Sequence, residues 1–339
     1  MSEISDRIRR EFKAGDDIRD AGLTVPADVE CFRDIVYGED EKWQSLDVYR
    51  PKNRAGELLP VIVSVHGGGW VYGDKERYQY YCMSLAQRGF AVVNFTYRLA
   101  PENKYPASLE DTNLVFKWVL EHGGCADAGS GCPDAGGGCS DVASGCPDAD
   151  SMCPAADGRD AVKSGGRSAD EPWYGFDTRH IFAVGDSAGA HNLALYSAIC
   201  TNPEYAKQYA FCAPEGFAPT AIALNCGKYE IVPEDAGTMA LMAEYLPGRG
   251  TPEEIEKIRA VQHITPQFPP TFLMTATGDF LQDQIPYIQA KLMECCVPFE
   301  FHFYGDKDHS LGHVFHCNMR LEEAAVCNAE ECAFFRKFL

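Results

Sequence analysis

Apolar residues along the chain fall into short continuous runs, separated by segments in which they recur every three or four positions. The runs are Val61 to Val65, Phe90 to Tyr97, Ile181 to Val184, Thr220 to Leu224, Thr271 to Thr277 and Phe299 to Phe303. Rich in β-branched and aromatic side chains, each reads as a strand. Between them, Glu76 to Gln87, Ser108 to Glu121, Ala188 to Ile199, Asp283 to Met293 and a last segment from about Leu321 read as helices. A strand that is apolar on both faces is buried on both faces, so the alternation predicts an α/β fold with a mostly parallel central sheet and helices on both sides. Phe32 to Tyr37 and Ser45 to Tyr49 read as two more strands forming an antiparallel edge. Residues 1–30 and 228–262 break the alternation and carry amphipathic helical pattern. They are expected as a small helical lid over the carboxyl end of the sheet, where open α/β sheets bind ligands.

One stretch has no such pattern. Residues 123–170 contain no Phe, Trp, Tyr, Leu or Ile, and Cys125, Cys132, Cys139, Cys146 and Cys153 recur every seventh position in units of the type Cys-Pro-Asp-Ala. Without apolar seam residues this is no coiled coil, and without core-forming residues it cannot offset its ordering entropy. It is expected to be a low-complexity surface insertion. Thiolates bind zinc or copper, which makes a metal tract the alternative, but the paired spacing of zinc sites does not occur there.

Charge narrows the partners. The 339 residues carry 30 Lys and Arg against 50 Asp and Glu, a net charge of −20, which repels nucleic acid and anionic membranes. No run is long enough for a membrane span, and the charged start from Met1 to Phe12 is unlike a signal peptide. The reading is a cytoplasmic protein whose 15 cysteines are reduced thiols.

The chemistry is expected at the strand ends. Gly185-Asp186-Ser187-Ala188-Gly189 follows a strand and opens a helix, the setting of a nucleophile elbow with Ser187 at its apex. His66-Gly67-Gly68-Gly69-Trp70 ends another strand, and glycines without side-chain cover can offer N–H donors to a developing oxyanion. Serine needs a base, and the base needs an acid to orient it. Asp279 follows the strand Thr271 to Thr277, with Asp283 as the competing acid. His313 follows Phe299 to Phe303, with His309 and His316 as competitors. Trp70 and Tyr72 are candidates for the substrate pocket, with Tyr229 nearby.

Together with Tyr97-Arg98-Leu99-Ala100-Pro101-Glu102 and the Asp279 to Asp283 pattern, these motifs make the sequence resemble the hormone-sensitive-lipase-like serine carboxylesterases of the α/β-hydrolase fold, from about Ser45 to Leu339 outside the insertion. The resemblance implies one α/β-hydrolase domain over residues 1–339, interrupted by the insertion. It implies Ser187 as nucleophile, Asp279 as acid, His313 as base, and the N–H groups of Gly67, Gly68 and Ala188 as oxyanion hole. Ala190, Phe280 and Val314 stand where that family usually has Gly, Pro and Gly. The activity so implied is hydrolysis of small or short-acyl carboxylic esters through an acyl-serine, with no metal or organic cofactor. The partner is a small-molecule ester, and a homo-oligomer is compatible with the sequence. An amidase or arylformamidase on the same triad, or a non-catalytic binding protein of the same fold, are the alternatives.

Overall fold

The computed structural model describes residues 3–124 and 172–339. The chain divides into two units, one made of Met1–Gly124 with Tyr174–Leu339, the other Cys125–Trp173. The cysteine repeat, and the expectation of a surface insertion or metal tract there, lie outside the described residues.

In chain order the first unit contains α1 (Glu3–Asp20), β1 (Val29–Val36), β2 (Ser45–Pro51), β3 (Leu59–Val65), α2 (Lys75–Ala86), β4 (Ala91–Phe95), α3 (Ala107–Glu121), β5 (Phe176–Asp186) and α4 (Ala188–Thr201). Then follow α5 (Pro203–Ala206), β6 (Ala221–Asn225), α6 (Ala236–Tyr245), α7 (Pro252–Ile258), α8 (Ala260–His263), β7 (Thr271–Ala276), α9 (Ile285–Glu294), β8 (Phe299–Tyr304) and α10 (Glu322–Phe335). The strands form one sheet in the order β1-β2-β4-β3-β5-β6-β7-β8. From β4 to β8 every pairing is parallel, while β1 and β2 join as an antiparallel edge. The expected α/β class and sheet are therefore observed.

The continuous apolar runs have a direct cause. Every residue of β4, β6 and β7 is buried, because alternate side chains enter two different cores. Val61, Val63, Val93, Leu224 and Leu273 face the core under α3, α4 and α9, whereas Ile62, Val92, Val184, Ala223 and Met274 face the core under α2 and α10. Stacked Phe116 and Tyr196 fasten α3 to α4 on one side, and Phe182 on Phe335 ties β5 to α10 on the other. The outer strand β8 is only partly covered and leaves Phe303 exposed.

Several expected boundaries move. β5 begins at Phe176 rather than Ile181; its polar start, Asp177 to His180, is satisfied locally by Asp177 accepting from Arg179 and His180, and a register shift at Pro60/Val61 accommodates it. β4 stops short at both ends, preceded by Gly89 in the left-handed region. α9 starts at Ile285, after a 3-10 turn at Gln282–Gln284 that takes up Asp283.

Candidate active site

The tight connection from β5 to α4 forces its own sequence. Ser187 has φ 52° and ψ −118°, a conformation costly for a residue with a side chain and tolerated where surrounding structure over-determines it. A Cβ on Gly189 would lie 2.1 Å from the Val65 carbonyl oxygen, and one on Gly185 would lie 2.6 Å from that of Gly189. Only glycine fits either place, so the strand, turn and helix can close around Ser187. Its N–H donates to Asn225 O, and its hydroxyl makes no side-chain capping bond.

The expected acid and base come from adjacent strand ends. Gly278 and Gly312 form a parallel bridge, with Gly278 N–H donating to Leu311 O at 2.8 Å, which sets the following residues, Asp279 and His313, side by side. His313 Nδ1 is 2.6 Å from Asp279 Oδ1. The second oxygen, Oδ2, accepts from Thr275 Oγ1 at 2.7 Å, and the Leu281 N–H donates to Oδ1 at 2.9 Å. Burial opposes the charge on Asp279, but His313 and these two donors outweigh it and hold the carboxyl below its ordinary pKa. The competitors are elsewhere. Asp283 is exposed, His309 pairs with Glu323 at the surface, and His316 is fully buried against Tyr81, its pKa pushed down to about 3 by burial. Val314, after His313, is a β-branched residue in the left-handed region (φ 50°), a strained place that glycine would fill freely.

The glycine loop requires one correction. Gly67 was expected among the oxyanion donors, but its N–H is already directed at Tyr78 Oη (3.0 Å) and Asp186 Oδ1 (3.2 Å). Asp186 also accepts from Tyr78 Oη at 2.7 Å, and burial raises its pKa to about 6. Among the described residues, the N–H groups of Gly68, Gly69 and Ala188 have no acceptor, so Gly69 replaces Gly67 as a candidate donor. Gly68 has φ 112°, and a Cβ there would lie 2.1 Å from Tyr72 O. His66 is a structural residue: it stacks on Tyr97 at 4.0 Å, its Nδ1–H donates to Gly67 O, and burial lowers its pKa to about 4.

Ser187 opens onto two lobes. One, of about 300 Å³, is lined by Gly67, Gly68, Tyr72, His313 and Val314, with Asp16 and Arg19 of α1 across from them. The other, of about 220 Å³, is lined by Gly69, Trp70, Ala188, Lys228 and Leu241. Phe12 of α1 and Phe280 border both. Trp70 and Tyr72 thus reach separate lobes; Trp70 donates to His191 Nδ1 and Tyr72 to Asp16. Tyr229 lines neither lobe, being buried with its hydroxyl on Leu224 O. Asp186, Tyr78, Phe12 and Lys228 were not singled out from sequence. Asp186 could have been, as an acid inside the elbow motif that has to be buried.

Among the described residues, one trio has metal-ligand spacing: Cys226, Asp279 and His313, with ligand atoms within 4.8 Å of one another. Burial keeps the Cys226 thiol protonated, and Asp279 and His313 already satisfy each other. The trio reads as a hydrogen-bonded carboxylate and imidazole beside a buried thiol.

Comparison with known proteins decides the family. A family described as the alpha/beta hydrolase fold matches residues 62–313. The chain belongs to the α/β-hydrolase fold family. Esterase LipC of Mycobacterium tuberculosis is 24% identical to this α/β-hydrolase over 269 residues, 76% of this chain and 53% of that protein. Probable carboxylesterase 11 of Arabidopsis thaliana is 41% identical over 91 residues, 24% of this chain and 20% of that one. The chain thus spans little more than half of one relative and a fifth of the other. Among solved structures, esterase B from Lactobacillus rhamnosis inhibited by a tributyrin phosphonate superposes with a TM-score of 0.77 at 23% identity, covering 100% of this chain and 96% of that one. At that identity the likeness is one of fold. No helix among the described residues is long and apolar enough to cross a membrane.

Proposed function

We propose that this α/β-hydrolase is a serine carboxylic ester hydrolase acting on small or short-acyl esters. The observation that carries the reading is the 2.6 Å contact of His313 with Asp279, with His313 and the strained Ser187 lining one cavity. His313 takes the Ser187 proton as the hydroxyl attacks the ester carbonyl, then returns it to the departing alcohol. Asp279 fixes the tautomer with Nδ1 protonated and steadies the imidazolium. The N–H groups of Gly68, Gly69 and Ala188 receive the oxyanion, where a single donor is worth about 10²–10³ in kcat. Water then repeats the sequence on the acyl-serine. No step calls on a metal or organic cofactor.

Supporting the ester over the amide are the names of the relatives, esterase LipC and carboxylesterase 11; supporting catalysis over mere binding is the intact acid–base pair. Two lobes of a few hundred Å³ suit small esters. The test is hydrolysis of p-nitrophenyl esters from C2 to C12. Rates should peak between C2 and C6 and fall at C12; a maximum at C10 or C12, or no turnover at any length, would overturn the reading.

A further inference from the structure

Among the described residues Lys228 is the one cation lining the apolar lobe beside Ser187, and its charge has no evident structural use. The residue follows β6, and its N–H donates to Ser187 O at 3.4 Å, which ties it to the elbow. Its side chain is 9% exposed, yet it lines the lobe with Trp70, Leu241 and Phe280. Among the described residues Nζ has no hydrogen-bond acceptor. The nearest carboxylate, Asp235 Oδ2, is 4.0 Å away and about half exposed. Asp235 is moreover committed to capping α6, accepting from the N–H groups of Gly237 and Thr238 and from Thr238 Oγ1. A weak pair with a half-exposed carboxylate stabilises the ammonium little, which leaves Nζ with donors to spare.

Which end of an ester enters this lobe follows from the proton transfers of the proposed function, on which this inference rests. The base must reach the leaving oxygen to protonate it. His313 lines the larger lobe, so the alcohol departs there. The lobe with Lys228 has Ala188 and Gly69 but not His313, and so takes the acyl chain.

We propose that Lys228 is a specificity-determining residue that pairs with an anionic group at the far end of the acyl chain, making monoesters of short dicarboxylic acids the preferred substrates. The apolar walls receive the methylenes, and Lys228 supplies the missing donor for the terminal carboxylate. A charge-assisted bond in a partly enclosed, largely apolar cavity is stronger than one in water. The net charge of −20 opposes approach of an anion over long range, an effect that salt screens at physiological ionic strength.

The test compares kcat/KM for mono-p-nitrophenyl glutarate, whose acyl chain ends in a carboxylate, with that for p-nitrophenyl hexanoate, whose chain is neutral. Lys228→Met should lower the glutarate-to-hexanoate ratio at least tenfold, and Lys228→Arg should keep most of it. Should the Met variant fail to fold, the wild type carries the test alone: at 150 mM NaCl, where the long-range repulsion is screened, kcat/KM for mono-p-nitrophenyl glutarate should exceed by about tenfold or more that for p-nitrophenyl methyl glutarate, whose acyl chain ends in a neutral ester. A ratio unmoved by Lys228→Met, or no preference for the glutarate monoester over its neutral methyl ester, overturns the assignment while leaving the esterase reading intact. Absence of turnover of both esters by the wild type overturns the esterase reading and this one with it.

Discussion

The elbow and the α1 cap both border the cavity, but they are held there by opposite means. Around Ser187 the backbone is fixed by sterics: Gly185 and Gly189 leave no room for a Cβ, and every residue of α4 from Ala188 to Ile199 is buried. Helix α1 instead has one fully buried residue, Ser5, and is tied down by polar contacts. Arg9 grips Glu102 with both terminal nitrogens and also donates to Val71 O and Ala100 O, Tyr72 holds Asp16, and Arg77 holds Asp17. Close packing cannot yield without strain, whereas exposed ion pairs exchange with water and weaken with salt. One region can keep catalytic geometry fixed while the other governs entry.

The comparison breaks most severely at the acid–base pair, on the rigid side. His313→Ala should lower kcat by about a thousandfold or more, since the hydroxyl then has no base, and Asp279→Asn by about 10²–10⁴. Asp283→Asn and His309→Ala should each cost less than about tenfold, because neither side chain faces Ser187. Esterase assays at matched melting temperatures check all four.

Next is the elbow's packing. Gly189→Ala puts a methyl 2.1 Å from the Val65 carbonyl, and backbone on both sides has to move. A destabilisation of roughly 3 kcal/mol or more is expected, in the range of overpacked cores, with activity lost together with stability. Thermal unfolding followed alongside esterase rates will show whether the two fall together.

The smallest effect belongs to the cap. Arg9→Ala removes the clamp between α1 and the Glu102 loop, so KM should rise about two- to tenfold with little change in kcat, and wild-type KM should drift the same way as NaCl is raised. A large drop in kcat at constant KM would show that α1 is part of the rigid machinery rather than a gate.

How much of this was legible in the sequence follows the same division. The sheet could be read because β4, β6 and β7 are buried on both faces, which leaves an uninterrupted apolar signal. Ser187 could be read because its strained turn demands glycine at two fixed positions. Asp279 was separable from Asp283 by distance from the strand end, and the bridge Gly278–Gly312 is the physical form of that proximity. Gly67 was misassigned because what occupies its N–H, Tyr78 and Asp186, lies 11 and 119 residues away. Lys228 and Phe12 escaped notice for a related reason: nothing local distinguishes a lysine aimed into a cavity, or a phenylalanine lying over one, from its ordinary counterpart.

The central claim is that Ser187 is the nucleophile, and covalent labelling tests it most directly. Incubation with a small alkyl fluorophosphonate followed by peptide mass spectrometry should place one phosphonyl group on Ser187, with esterase activity falling in step with labelling, and Ser187→Ala should take up no label and retain less than about 0.1% of kcat. A stoichiometric label on another residue, or a Ser187→Ala variant that still turns over p-nitrophenyl butyrate at a tenth of the wild-type rate, would contradict the account.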